Sequence, residues 1–251
     1  MPEPLLAALQ TEGLIWLGGA VIAAGLVRGF AGFGSAMIIM PAAAAVLSPV
    51  QAVVFVVAAE LLGPLPNVPD ALRQGVPREV GILILGALLG LPLGIWCLTV
   101  VEPDLFSWII SGVVLVLLGP VMLGWRYSGE LTRRLSTATG ALGGFMTGFA
   151  GIPGPPVIML YMASRLPIAV IRANLLLYLF AIDLILFPLF WLLGLMVWPI
   201  ALLGLLFGIP NVIANMVGAR IFDPRAEALF RRVAYIAIVV SAIIGLPLWK
   251  G

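Results

Sequence analysis

The sequence contains no histidine, one cysteine and few charges: of 251 residues, only 10% are Asp, Glu, Lys or Arg. Each scarcity removes a class of chemistry. Without histidine there is no imidazole for acid/base work near neutral pH and no His-containing zinc site. Cys97, alone, makes neither an internal disulfide nor a multi-cysteine metal site. These absences close most routes to an enzyme and imply no cofactor. No Gly-x-x-x-x-Gly-Lys-Ser/Thr run is present to hold a nucleotide. The polar/apolar alternation of an outer-membrane barrel is missing as well. What fills the sequence instead is apolar: 63% of residues are hydrophobic and the mean hydropathy is +1.20. Such a chain cannot make a water-facing surface, and long apolar runs cross lipid as helices, so the class is an all-α integral membrane protein. The net charge of +2 and pI of about 9.0 are the balance that basic cytoplasmic loops give a membrane chain; nucleic acid is not an expected partner, the bilayer is.

Apolar segments fall at about 14 to 27, 35 to 47, 50 to 66, 79 to 101, 106 to 125, 136 to 149, 154 to 163, 171 to 193, 198 to 219 and 232 to 249. The start, with Glu3 and Glu12 before the first run and no basic residue, does not read as a cleaved signal peptide. Two pairs, 14 to 27 with 35 to 47 and 136 to 149 with 154 to 163, are short and joined by glycine-rich breaks. Ten to fourteen residues rise only about 15 to 21 Å, so each pair reads as a hairpin or broken helix. The breaks echo each other: GFAGFG at Gly29 to Gly34 recurs as GFAGIP at Gly148 to Pro153, 119 positions on. GALLGLP at Gly86 to Pro92 recurs as GLLFGIP at Gly204 to Pro210, 118 positions on. Two matches at nearly one spacing indicate an internal duplication, with repeats at 1–130 and 131–251 and the seam in the loop from Arg126 to Leu135.

Charge sets the orientation. Eleven of the thirteen basic residues fall in four places: Arg73 and Arg78; Arg126, Arg133 and Arg134; Arg165 and Arg172; and Arg220, Arg225, Arg231 and Arg232. The connections near 102 to 105 and 194 to 197 carry none. Cytoplasmic placement of the four basic regions satisfies the positive-inside rule and puts both termini in the periplasm of an inner-membrane protein. Each half, a broken-helix hairpin plus three spanning helices, then changes side an odd number of times. The two halves are thus expected to be inverted repeats, the layout of an alternating-access transporter.

Glycine lets the backbone turn sharply and approach a ligand, and a helix restarting after such a break presents unpaired N–H groups that favour an anion. The expected substrate site is therefore Arg28, Gly29, Gly32, Phe33, Gly34 and Ser35 from the first break, with Thr147, Gly148, Gly151, Ile152 and Gly154 from the second and Asn211 nearby. Thr147 stands where the first copy has Arg28, so the site is expected to be asymmetric. The competing reading is that the glycines serve helix packing and that Arg28 snorkels to the interface. Glu60 and Asp183, acids inside apolar runs, are candidate proton carriers or else structural hydrogen-bonded acids. Asn174, Asn211 and Asn215 are expected first of all to hydrogen-bond between helices.

The paired motifs GFAGFGSAMIIMP and GFAGIPGPPVIML, one opening each half, resemble the sulfite exporter TauE/SafE family, also called the 4-toluene sulfonate uptake permease family, over nearly the whole chain. The usual family pattern has a fuller glycine cluster; here the first copy reads GFGSA and the second has Pro153, Pro155 and Pro156 around Gly154. The resemblance implies an inner-membrane carrier of small sulfur-containing or organic anions such as sulfite, sulfonates or sulfoacetate, with neither import nor export specified. An anion-selective channel lined by the same helix starts is the alternative. A homo-oligomer is compatible with either.

Overall fold

The computed structural model describes residues 13–123, 132–162, 164 and 166–249. The start of the chain, Arg126 with most of the expected seam, Arg165 and the final two residues lie outside them. Among the described residues the protein is helical with no strand. In order, the helices are α1 (Leu14–Ala31), α2 (Ser35–Val46), α3 (Pro49–Glu60), α4 (Val68–Gln74), α5 (Pro77–Val100), α6 (Pro103–Met122), α7 (Arg133–Ala150), α8 (Gly154–Met162), α9 (Ile168–Leu192), α10 (Trp198–Ile221) and α11 (Glu227–Ile244).

Two expectations about segment length change. The first members of the short pairs are full-length: α1 and α7 each run for 18 residues, about 27 Å of rise. Only α2 (12 residues) and α8 (9 residues) are short. α1 does not stop before Arg28 but carries it in its last turn, ending where Gly32 at φ 80° donates its N–H to the Arg28 carbonyl. Conversely, the apolar run at 50 to 66 is not one helix. α3 begins at a capping box in which Ser48 and Gln51 satisfy each other's backbone, and it stops at Glu60. A turn, a short 3₁₀ stretch at Leu65–Asn67 and α4 follow, bent from α3 by 44°. Pro64 and Pro66 lack the N–H groups that would continue α3.

α1, α5, α6, α9 and α10 are each long and apolar enough to cross a membrane, and the bent α3–α4 pair makes a sixth if it is one span. Large apolar side chains point outward along them, among them Leu85, Leu89, Trp96, Val116, Leu184 and Ile213. In water such a surface would drive aggregation; against lipid tails it costs nothing.

Without a hydrophobic force between helices in lipid, close packing depends on small residues. α5 and α7 meet in this way. Gly86, Gly90 and Gly94 lie against the backbone at Thr137, Ala141 and Phe145, while Gly140, Gly144 and Gly148 lie against Leu83, Ala87 and Leu91. α1 and α10 form a second seam: Gly25 and Gly29 face the carbonyls of Asn211 and Asn215, and Gly218 faces that of Leu26. α10 also packs on α3 through Gly204 and Gly208, against the carbonyls of Phe55 and Ala59.

Candidate functional site

Three interruptions in the helices meet around one cavity. The α1–α2 break contributes Gly32, Phe33 and Gly34, the α7–α8 break contributes Gly151, Ile152 and Pro153, and the end of α3 contributes Glu60. Arg28, Ser35, Ala36 and Met37, Gly154, Pro155 and Ile158 of α8, and Leu179 and Asp183 of α9 complete the lining. The cavity opens to the outside and spans about 490 Å³ when the open space at its mouth is counted.

Local backbone chemistry makes these breaks. Gly32 and Gly34 sit at φ 80° and 95°, and Gly151 at 62°, in the left-handed region that a side chain resists. Gly34 is the N-cap of α2, and no side chain caps that helix start, so its first N–H groups remain available at the cavity. The second start is poorer. Pro155 and Pro156 open α8 without N–H groups, so of its first four residues only Gly154 and Val157 carry a donor. The two helix starts therefore differ in the backbone donors they offer, with α2 carrying more.

The centre of the cavity is charged. Arg28 donates from Nη1 to Glu60 Oε2 at 2.5 Å, and Ser35 donates from Oγ to the same oxygen at 2.9 Å. The Arg28 and Glu60 side chains are 12% and 11% exposed. Glu60 Oε1, by contrast, is buried with no partner among the described residues. Asp183 is buried and lies within electrostatic reach of both Glu60 and Arg28. Sequence reasoning assigned Arg28 to an anion and Glu60 to a proton separately. It did not show that these two, 32 residues apart, hold each other.

Four of the residues read from sequence as binding do not line the cavity. Gly29 and Gly148 lie in the two glycine seams. Thr147 donates to the Gly143 carbonyl at 2.6 Å, and Asn211 donates from Nδ2 to the Val21 carbonyl at 3.2 Å. Asn174 joins two elements, accepting from Val76 N at 2.7 Å and donating to Glu79 at 3.3 Å. Among lining residues that the sequence reading passed over, Leu179 stands one helical turn before Asp183, and that spacing was a usable signal.

The family model described as sulfite exporter TauE/SafE matches residues 17–244. The chain belongs to the TauE/SafE family. Membership makes it one of a family of membrane transporters, in agreement with its span-capable helices. The TauE/SafE match takes in the whole cavity, from Arg28 through Asp183. No curated protein and no solved structure matches the chain.

Proposed function

We propose that the protein is a secondary transporter that moves a small sulfur-containing or organic anion, such as sulfite, a sulfonate or sulfoacetate, across the inner membrane by alternating access. The observation that carries this reading is the cavity, where an uncapped helix start, Ser35 and Arg28 face the same space at a break in two helices. An oxyanion is the ligand that such donors suit. Transfer occurs through two inverted repeats at 1–130 and 131–251, with both termini periplasmic and with Glu60, Asp183 or both carrying the coupled proton. Reciprocal packing supports the duplication: α5 of the first half seams with α7 of the second, and α10 of the second seams with α1 of the first.

Thermal unfolding of the purified protein with sulfite, thiosulfate, sulfonates and small carboxylates tests the ligand class. A ligand present at a hundred times its Kd stabilises the folded state by about 2.7 kcal/mol, so at least one oxyanion is expected to raise the midpoint. If none does, the anion site is wrong.

The orientation on which the inversion rests has its own test. In a Cys97→Ala background, Gln74→Cys and Asp104→Cys flank α5 at exposed positions. Impermeant thiol reagents are expected to reach residue 104 from the periplasm and residue 74 from the cytoplasm. Labelling of both from one side removes the basis for inversion.

A further inference from the structure

The cavity that should receive an anion already contains one. Arg28, the cation of this site, is bound to Glu60, and so is Ser35, the first residue of α2. An arriving oxyanion finds those two donors occupied and their charge cancelled. Among the described residues lining the cavity, the charged ones are Arg28 of α1, Glu60 of α3 and Asp183 of α9; α2 presents Ser35, while α5 and α10 contribute no lining residue. Among the described residues, Arg28 and Ser35 both donate to Glu60, and the charge of Asp183, where present, has the sign of the substrate.

Building on the reading of this cavity as an anion-transport site, we propose that Glu60 is a resident counter-anion that competes with the substrate for Arg28 and Ser35, and that it must take up a proton to give way. Charge dictates the exchange. Arg28 and Glu60 together are neutral; adding a monoanion leaves one uncompensated negative charge among buried side chains, which is costly, and one proton removes it. The structure supplies the place for that proton. Glu60 lines the cavity, and its Oε1 is buried with no donor among the described residues. Protonated there, the carboxyl becomes a neutral donor able to bond the incoming oxyanion, while Arg28 and Ser35 turn from Oε2 to the substrate. On release the sequence reverses: the anion leaves, Glu60 returns its proton to water on the side then open, and its carboxylate reoccupies Arg28. Anion and proton thus travel together, one for one, and the empty carrier returns neutral. Glu60 thereby becomes the coupling residue, and Asp183 is left to set the field around it.

The test uses purified full-length protein and two monoanionic probes, methanesulfonate and ethanesulfonate, whose charge does not change from mildly alkaline to mildly acidic pH. Because one proton is bound with each anion, the affinity of the wild-type protein is expected to rise about tenfold for each unit by which pH falls. In weakly buffered solution, about one proton should disappear per anion bound. This second measurement needs no variant and stands even if a substitution prevents folding. Glu60→Gln, neutral at every pH, is expected to bind at alkaline pH at least tenfold more tightly than the wild type and to lose the pH slope. In proteoliposomes it should lose uptake driven by a pH gradient while keeping anion exchange. Binding that is independent of pH, or that takes up no proton, overturns the proposal while leaving the anion site intact. So does a slope that survives Glu60→Gln and vanishes in Asp183→Asn. Failure of both probes to bind at any pH removes the anion-site reading itself, and this inference with it.

Discussion

Gly90→Val is expected to yield little or no folded protein. A Cβ at Gly90 meets the Ala141 carbonyl and the Phe145 backbone N, and neither can rotate aside as a side chain would. α5 and α7 must separate, and Gly86, Gly94, Gly140, Gly144 and Gly148 lose contact with the opposite backbone along the whole seam. Overpacking of this kind costs about 3 kcal/mol or more, a large share of a total stability of roughly 5 to 15 kcal/mol. The internal control lies on α6, where, among the described residues, Gly112 and Gly119 have nothing within 4 Å of an added Cβ. Alanine there should stabilise the helix by about 0.5 to 1 kcal/mol. Thermal unfolding in detergent separates the two cases. A Gly90→Val protein that melts beside the wild type would mean that α5 and α7 do not pack as described.

Arg28→Ala should have the second-largest effect, and it should be worse than removing both partners. The Arg28–Glu60 pair is nearly buried, and deleting one member of such a pair costs about 3 to 5 kcal/mol because the remaining charge is stranded. Arg28→Ala/Glu60→Gln strands nothing and should recover much of that loss. Anion affinity follows a different order. A charge-assisted contact contributes about 1.5 to 3 kcal/mol, so both Arg28→Ala proteins should bind roughly ten- to a hundredfold more weakly. Arg28→Lys should restore only part, since a point charge lacks the planar fork that holds two oxygens. Stability from chemical or thermal unfolding, read beside anion titration on the folded fraction, distinguishes these outcomes. Wild-type stability and affinity in Arg28→Ala would place the arginine in water, as a side chain snorkelling to the interface.

Much of this architecture was legible as apolar runs, because a helix in lipid must satisfy its backbone internally and announces itself by length. What misled was reading a charge as a terminus. The first run appeared to end at Val27, yet α1 continues through Arg28, since Glu60, far along the chain, holds the guanidinium inside the protein. The reverse error occurred at 50 to 66, where hydropathy stayed high across Glu60 but Pro64 and Pro66 prevent the helix from continuing. At the site, the breaks were visible in the motif repeats, and Gly32, Gly34, Gly151 and Gly154 line the cavity. Gly29 and Gly148, in the same motifs, instead pack against another helix. A four-residue glycine period runs back from Gly148 to Gly140 and from Gly29 to Gly25, and this marks the packing face. No pattern in the sequence pairs Arg28 with Glu60, because a contact across 32 residues depends on how α1 and α3 are placed beside each other.

The glycine seams have a mechanical consequence. Backbone-on-backbone contact leaves no side-chain layer to flex, so helices joined by such a seam move as one piece. One seam ties α1 to α10, with α3 fixed to α10 beside it; the other ties α5 to α7. Each piece is thus assembled from both halves of the sequence, and a motion of the first sequence half against the second would tear both seams at once. If the two pieces slide against each other, as shear motions do, the surface between α1–α3–α10 and α5–α7 is where they would part. Arg28 and Glu60 ride together on one side of it, attached to α1 and α3, while Gly151 rides on the other at the end of α7. Opening the cavity would therefore leave the arginine and its carboxylate in register and carry the α7–α8 break past them, so that the two walls of the site are also the two halves of its gate.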